Sequence, residues 1–178
     1  MAMEALYKEA EAAGMLYTNY VEGHSGKILS LTTAYRSYGD QAYLFESYVE
    51  RETEAHPDWT EEQVIALVKT YSCPPGTSEH QTGLCTDMHN WPTAGRYMAA
   101  EFSASPAGQW LQENCYKFGF ILRFPEDKTD VTGITFEPWH FRYVGRYHAT
   151  RMHELNMCLE EYLDYLTQYG YVINEGLI

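Results

Sequence analysis

"FGFILRFPEDKTDVTGITFEPWHFRYV", residues 118–144, sets two apolar runs around a polar stretch. "FGFILRF" is rich in aromatic and branched residues, which suit a pleated, half-buried surface. "KTDVTG" has turn composition, and "ITFEPWHFRYV" reads as a second strand interrupted at Pro138. Two such runs around a turn predict a hairpin at about residues 125–133.

Outward from that hairpin the signals are mostly helical. Residues 4–13 favour a helix that Gly14 ends. A short β-prone run covers residues 28–33. From Asp40, Leu44, Phe45, Tyr48 and Val49 share one helical face, and His56-Pro57 interrupts it. Thr60 and Gln63 form a capping-box pattern ahead of "VIALVK". "SCPPGTSEH", residues 72–80, is loop by its Pro and Gly content. Ser105-Pro106 pairs a good N-cap with a proline at the first helical position. The helix it opens carries Trp110, Leu111, Cys115 and Phe118 inward and ends at Gly119. "NMCLEEYLDYLTQYG", residues 156–170, is amphipathic, with Leu159, Tyr162, Leu163 and Leu166 at helical spacing. The expectation is an α+β fold: a small central antiparallel sheet flanked by helices, as one domain over residues 1–178.

A chain of 178 residues is long enough for a real core. Its net charge of −13 repels phosphate backbones and argues against nucleic-acid binding. No run of 18 apolar residues is present, so nothing in the sequence predicts a membrane span. The opening "MAMEALYKEAEAAG" reads as helix, not as a signal peptide. Sixteen tyrosines suit a broad, half-polar groove. Cys73, Cys85, Cys115 and Cys158 are scattered with no CxxC pair, so a thiolate zinc knuckle is not indicated. An even count permits disulfides. A domain of this size needs none, and free, mostly buried thiols are the expectation.

The chemistry lies in two short segments. In "SEHQTGLCTD", residues 78–87, His80 and Asp87 stand seven apart with Gly83 between them. Glycine lets the backbone turn tightly, so both side chains can aim at one point. "EPWH", residues 137–140, supplies a second imidazole. His80, Asp87 and His140 would make three zinc ligands, with the fourth position open to water. Glu137, three residues before His140, would reach the same cavity without ligating and serve as general base. Taken singly, each residue is commoner as a polar loop histidine, a turn aspartate or a packed strand residue. Their combined spacing distinguishes them. Neither HExxH nor GxSxG occurs.

"SEHQTGLCTD" resembles the SxHxxGxxxD motif of the VanY-like D-alanyl-D-alanine carboxypeptidases, a family of zinc peptidases. "EPWHFRYVG", residues 137–145, is similar to that family's second signature, and "YRSYGDQ", residues 35–41, to its upstream YRSxxxQ element. The likeness covers roughly residues 30–166, with three motifs in the family's order. It implies a small α+β fold with zinc in a surface groove. By motif position, His80, Asp87 and His140 become the ligands and Glu137 the base. Arg36 becomes the cation that holds the substrate carbonyl or its oxyanion. Ser78 and Gln41 would hold substrate or shape the pocket, and Trp139 would wall the groove.

Four features depart from the pattern or stand outside it. Cys85 occupies a position where the family usually has alanine or serine; little effect is expected, though a thiol near zinc is oxidisable. His89 reads as an exposed loop residue rather than a ligand. His24, His56, His148 and His153 fit no motif. The stretch before residue 30 is shorter than the family's, which suggests a trimmed domain lacking a signal, anchor or wall-binding module.

The function implied is removal of the terminal D-alanine from peptidoglycan stem peptides or their precursors, with Zn2+ as cofactor. An extracytoplasmic place in the cell envelope follows from that substrate, although relatives without an anchor work in the cytoplasm. L,D-carboxypeptidase or D,D-dipeptidase activity on the same scaffold are alternatives within the class. A catalytically silent, zinc-containing wall-binding module is the alternative outside it, and the presence of Glu137 speaks against it.

Overall fold

The structure is a computed structural model and describes residues 1–15, 29–89 and 99–170. Helix α1 (Ala2–Ala12) buries Leu6 and Ala10, spaced four apart on one face. Strand β1 (Ser30–Thr33) leads through the "YRS" stretch into helix α2 (Tyr38–Ala55). That helix begins two residues ahead of the expected Asp40. Ser37 is its N-cap and forms a full capping box with Asp40. A second capping box, Thr60 with Gln63, opens α3 (Glu61–Val68) as the sequence predicts.

Strand β2 (Cys85–His89) follows a single 3₁₀ turn, Glu79–Thr82, in the stretch expected to be loop. Helix α4 (Ala99–Ala104) and helix α5 (Pro106–Asn114) lead into β3 (Phe120–Leu122). Ser105 caps α5, with Pro106 at its first turn. Short helix α6 (Thr129–Thr132) precedes β4 (His140–Tyr143), and α7 (Arg146–Leu155) and α8 (Leu159–Gln168) complete the described residues. None of the described helices is both long and apolar enough to cross a membrane.

The four strands lie in the order β1-β2-β4-β3, every neighbouring pair antiparallel. The α+β expectation stands. Side chains alternate between the two faces of a strand, and directly opposed residues share a face. Opposition of Thr86 and Leu122 with Phe141 therefore defines one face. On that side Phe141, Phe120, Leu122 and Met88 pack on Leu6, Phe102 and Leu111 to form the main core. Cys85 opposite Arg142, and Asp87 opposite His140, define the other face. Ile121, also opposite Arg142, packs there on Ala149, Met152, Leu159 and Tyr162 of α7 and α8. The polar chemistry therefore sits on the face away from the main core.

The fold departs from the sequence-based expectations at several places. The hairpin is real, but β3 and β4 are joined through residues 123–139, well beyond 125–133. Residues 134–139 are not strand. Buried Pro138 cannot donate to a ladder, and the chain reaches β4 through a turn instead. Helix α7 went unpredicted because only Ala149 and Met152 of its residues are buried, too few to show a period. Leu44, Phe45, Tyr48 and Val49 are only half-buried, and Gln41 is the buried residue of α2. The physical reason is that α2 walls a cavity rather than the core. All four cysteines are free, and three of them are buried. The stretch 90–98, and His24, lie outside the described residues.

Helix α5 depends on a close approach that only glycine allows. A Cβ built on Gly108 would lie 1.9 Å from the Phe102 carbonyl oxygen. Gly108→Ala is expected to lose roughly 1–3 kcal/mol of stability, the usual effect of overpacking. A lowered urea midpoint with unchanged m-value would show it. An unchanged midpoint would mean that α4 and α5 part freely.

Candidate active site

The first motif is a bend with its side chains tied down. Ser78 precedes the 3₁₀ turn Glu79–Thr82, and Gly83 leaves that turn in the left-handed conformation, φ 69° and ψ 12°. A side chain there would be strained. The bend puts His80 before β2 and Asp87 within it. The Ala34 carbonyl accepts from His80 Nδ1 at 2.6 Å, and the Arg36 N–H donates to the His80 carbonyl at 3.1 Å. These reciprocal bonds fasten the "YRS" stretch to the "SEH" stretch. They also fix the ring: Nδ1 carries the proton, and Nε2 faces Asp87 Oδ2 at 3.4 Å.

The second motif is a turn. The His140 N–H donates to the Glu137 carbonyl at 3.1 Å, with Pro138 at the position where its fixed φ favours a turn. The Glu137 N–H is held by the Phe124 carbonyl at 3.2 Å. A spacing of three thus places both ends of "EPWH" together, with Glu137 Oε2 3.9 Å from His140 Nδ1. Cross-strand pairing sets Asp87 opposite His140, and Asp87 Oδ1 lies 3.0 Å from His140 Nδ1. Arg36 Nη2 reaches Asp87 Oδ2 at 3.7 Å.

Burial would raise the Asp87 carboxyl, but His140 and His80 outweigh it and hold Asp87 well below the usual carboxylate range. Burial likewise acts against a charged His80, yet bonds to Asp87 and Cys85 raise it to about 9. His140 is raised well above its ordinary value in the same way, by Asp87, Cys85 and Glu79 against burial. Glu137 differs: burial dominates, opposed by His140, and its carboxyl is pushed up to about 7. Two imidazoles held in their proton-binding form around one carboxylate are what a dication would replace. Ligand atoms of His80, Cys85 and His140 lie within 4.8 Å of one another, and the donor set of imidazole, carboxylate and thiol suits zinc.

Behind this cluster lies an ionic network that sequence reasoning missed. Arg123 binds Glu79 Oε1 at 2.8 Å and grips both carboxylate oxygens of Glu160 at 2.6 and 3.1 Å. Arg142 Nη1 also reaches Glu79 Oε1, at 3.1 Å. Glu79 Oε2 and His140 Nε2 face each other at 3.7 Å, and neither has a hydrogen bond. Burial would raise Glu79, but His140, Arg123 and Arg142 hold it at about 2. No local pattern could have revealed these partners, which stand 44 and 37 residues apart in sequence. Glu79, adjacent to His80 in the first motif, was the sole available pointer.

A cavity of about 510 Å³ opens over the cluster, and all eight residues singled out from the sequence line it: Arg36, Gln41, Ser78, His80, Asp87, Glu137, Trp139 and His140. Gln41 has both ends of its amide engaged. Its oxygen accepts from Arg36 Nη1 at 2.7 Å, and its nitrogen donates to the Cys73 carbonyl at 2.7 Å. Ser78 is buried and makes no side-chain cap to the 3₁₀ turn. Trp139 stacks on His89 at 5.8 Å between ring centroids. His89 is therefore not the exposed loop residue expected; it is half-buried, ends β2 and lines the cavity. The remaining histidines lie elsewhere. His56 stacks on Trp59, His148 bonds the Tyr162 hydroxyl, and His153 stacks on Tyr116.

Known proteins resemble this chain in sequence and in fold. A D-alanyl-D-alanine carboxypeptidase from Enterococcus faecium is 45% identical over 113 residues, 62% of this chain and 35% of that protein. A second, from Enterococcus faecalis, is matched over 37% of its length, so the match spans about a third of either relative. Among solved structures, the D,D-pentapeptidase VanY of a VanB-type vancomycin resistance cassette, in complex with Zn(II), superposes with TM-score 0.73 at 34% identity. The superposition covers 91% of this chain and 79% of that one. VanYB in complex with D-alanine-D-alanine gives TM-score 0.74 at 34% identity, over 92% and 78%. The profile of the VanY family, D-alanyl-D-alanine carboxypeptidase, matches residues 3–146. The chain belongs to the VanY family of D-alanyl-D-alanine carboxypeptidases.

Proposed function

We propose that this chain is a zinc-dependent D,D-carboxypeptidase that removes the terminal D-alanine from peptidoglycan stem peptides in the cell envelope. The observation that carries the reading is the convergence of His80, Asp87 and His140 in one cavity, with Glu137 and Arg36 beside them. His80 through Nε2, His140 through Nδ1 and the Asp87 carboxylate would hold the ion. When bound, zinc acidifies water and polarises a carbonyl, and it draws the pKa of a neighbouring carboxyl down.

The protein groups divide the remaining work. Glu137 lies close to His140 Nδ1 without bonding it, placed to take the proton from the attacking water and return it to the departing amine. Burial raises its proton affinity, and a bound zinc would lower it, so the two influences oppose each other at this carboxyl. Arg36 offers a guanidinium fixed by Gln41, so it can hold the carbonyl oxygen as negative charge develops without reorganising. Gln41 then serves the substrate indirectly, by positioning Arg36. Ser78 and Trp139 shape the pocket, and Tyr43, Tyr48 and Tyr71 extend the cavity as a half-polar wall for the peptide. The support for D-alanine in the leaving position comes from the family and from VanYB in complex with D-alanine-D-alanine.

Mass spectrometry of a muramyl pentapeptide ending in D-Ala-D-Ala tests the reading. Loss of one alanine, stopped by a chelator and restored by zinc, is expected. An intact pentapeptide alongside a shortened tetrapeptide would indicate the L,D activity instead, and cleavage of free D-Ala-D-Ala alone a dipeptidase. No cleavage of all three would leave a wall-binding module.

Glu137→Gln should abolish turnover while zinc content holds; retained turnover would remove the base assignment. Arg36→Ala should slow turnover by about a hundredfold or more, the usual consequence of removing an oxyanion donor. His80→Ala and His140→Ala should each lose zinc by elemental analysis, and a full complement in both would mean the ligand set is wrong.

A further inference from the structure

We propose that Cys85 is a ligand of the metal ion, adding a sulfur donor from the sheet to His80, Asp87 and His140; this rests on the zinc reading above. Cys85 and Asp87 are two apart on β2 and therefore project from the same face. The pairing of Asp87 with His140 and of Cys85 with Arg142 fixes that face as the one bearing the site. The Cys85 sulfur and one nitrogen from each of His80 and His140 fall within 4.8 Å of one another. Cys85 is 3% exposed, and it stands apart from the residues that line the cavity. Its sulfur would therefore reach the ion from the sheet side as a fourth protein donor, and a water or peptide carbonyl arriving from the cavity would make the ion five-coordinate.

The His140 ring has room to adjust toward a shared ion. His140 is 5% exposed, and its Nε2 has no hydrogen-bond partner. Buried imidazole normally has both nitrogens engaged. Nε2 faces Glu79 Oε2 at 3.7 Å, beyond hydrogen-bond reach, so Nδ1 alone is hydrogen-bonded, to Asp87 at 3.0 Å, and small adjustments toward a shared ion are open to the ring. On binding, the thiol gives its proton to solvent and the sulfur takes the metal in its place. A soft donor beside two imidazoles biases the site toward zinc and cobalt and away from magnesium and manganese.

Cobalt reports sulfur ligation directly. Titrated with Co2+, the wild-type protein should develop both the visible bands of a bound ion and a near-ultraviolet thiolate-to-cobalt charge-transfer band. Cys85→Ala should keep the visible bands and lose the charge-transfer band. Identical near-ultraviolet spectra in the two proteins would overturn the role of Cys85 while leaving the metal site intact. Absence of visible bands in both would overturn the metal reading itself. X-ray absorption of the zinc-loaded wild-type protein needs no variant: a sulfur shell at about 2.3 Å is expected, and a shell of nitrogen and oxygen alone would refute the assignment.

Discussion

Asp87 is a carboxylate held between two buried imidazoles, its own side chain only 13% exposed, and the rest of the molecule is arranged around that contact. Taking a charge out of water is unfavourable unless it is paired and hydrogen-bonded. Here the pairing comes from two separate sources. The antiparallel register of β2 and β4 brings His140, and the bend at Gly83 brings His80. Removing one partner of such a buried pair typically costs about 3–5 kcal/mol, because the other charge is left uncompensated. The bend, the strand register and the cation-binding geometry are thus one constraint seen at three scales.

The same sheet separates packing from chemistry by strand alternation. Phe141 points into the main core, while its neighbours His140 and Arg142 point to the opposite face. There Arg142 and Arg123 converge on Glu79, and Arg123 continues to Glu160 on α8. The C-terminal helices are consequently joined to the residue immediately before His80. A guanidinium gripping two carboxylates in a fixed fork is suited to that task, because its geometry leaves little freedom to the turn it holds.

Much of the site was legible because its signals are local. The distance from His80 to Asp87 needs one tight turn, and Gly83 marks it. The distance from Glu137 to His140 needs one more, and Pro138 marks that. Capping boxes at Ser37 and Thr60 are equally local, though only the second is evident in the sequence reading, which starts α2 two residues late. What stayed hidden depends on contacts distant in sequence. The Glu79 network joins residues with no shared period, and α7 buries too little to display one. Residues 134–139 had the composition of a strand, yet the turn that Pro138 makes possible outweighed propensity. Cys85 could be seen in the sequence as a departure from the family pattern, but only the pairing of β2 with β4 places its sulfur beside both imidazoles.

The central claim is that folding of the sheet assembles one cation site from His80, Asp87 and His140. The most direct measurement is anomalous diffraction at the zinc edge from crystals of the zinc-loaded protein. The account predicts a single strong peak at about 2.0–2.2 Å from His80 Nε2, His140 Nδ1 and an Asp87 oxygen, inside the cavity that Glu137 and Arg36 line. A peak elsewhere, or none at full zinc loading, would contradict it.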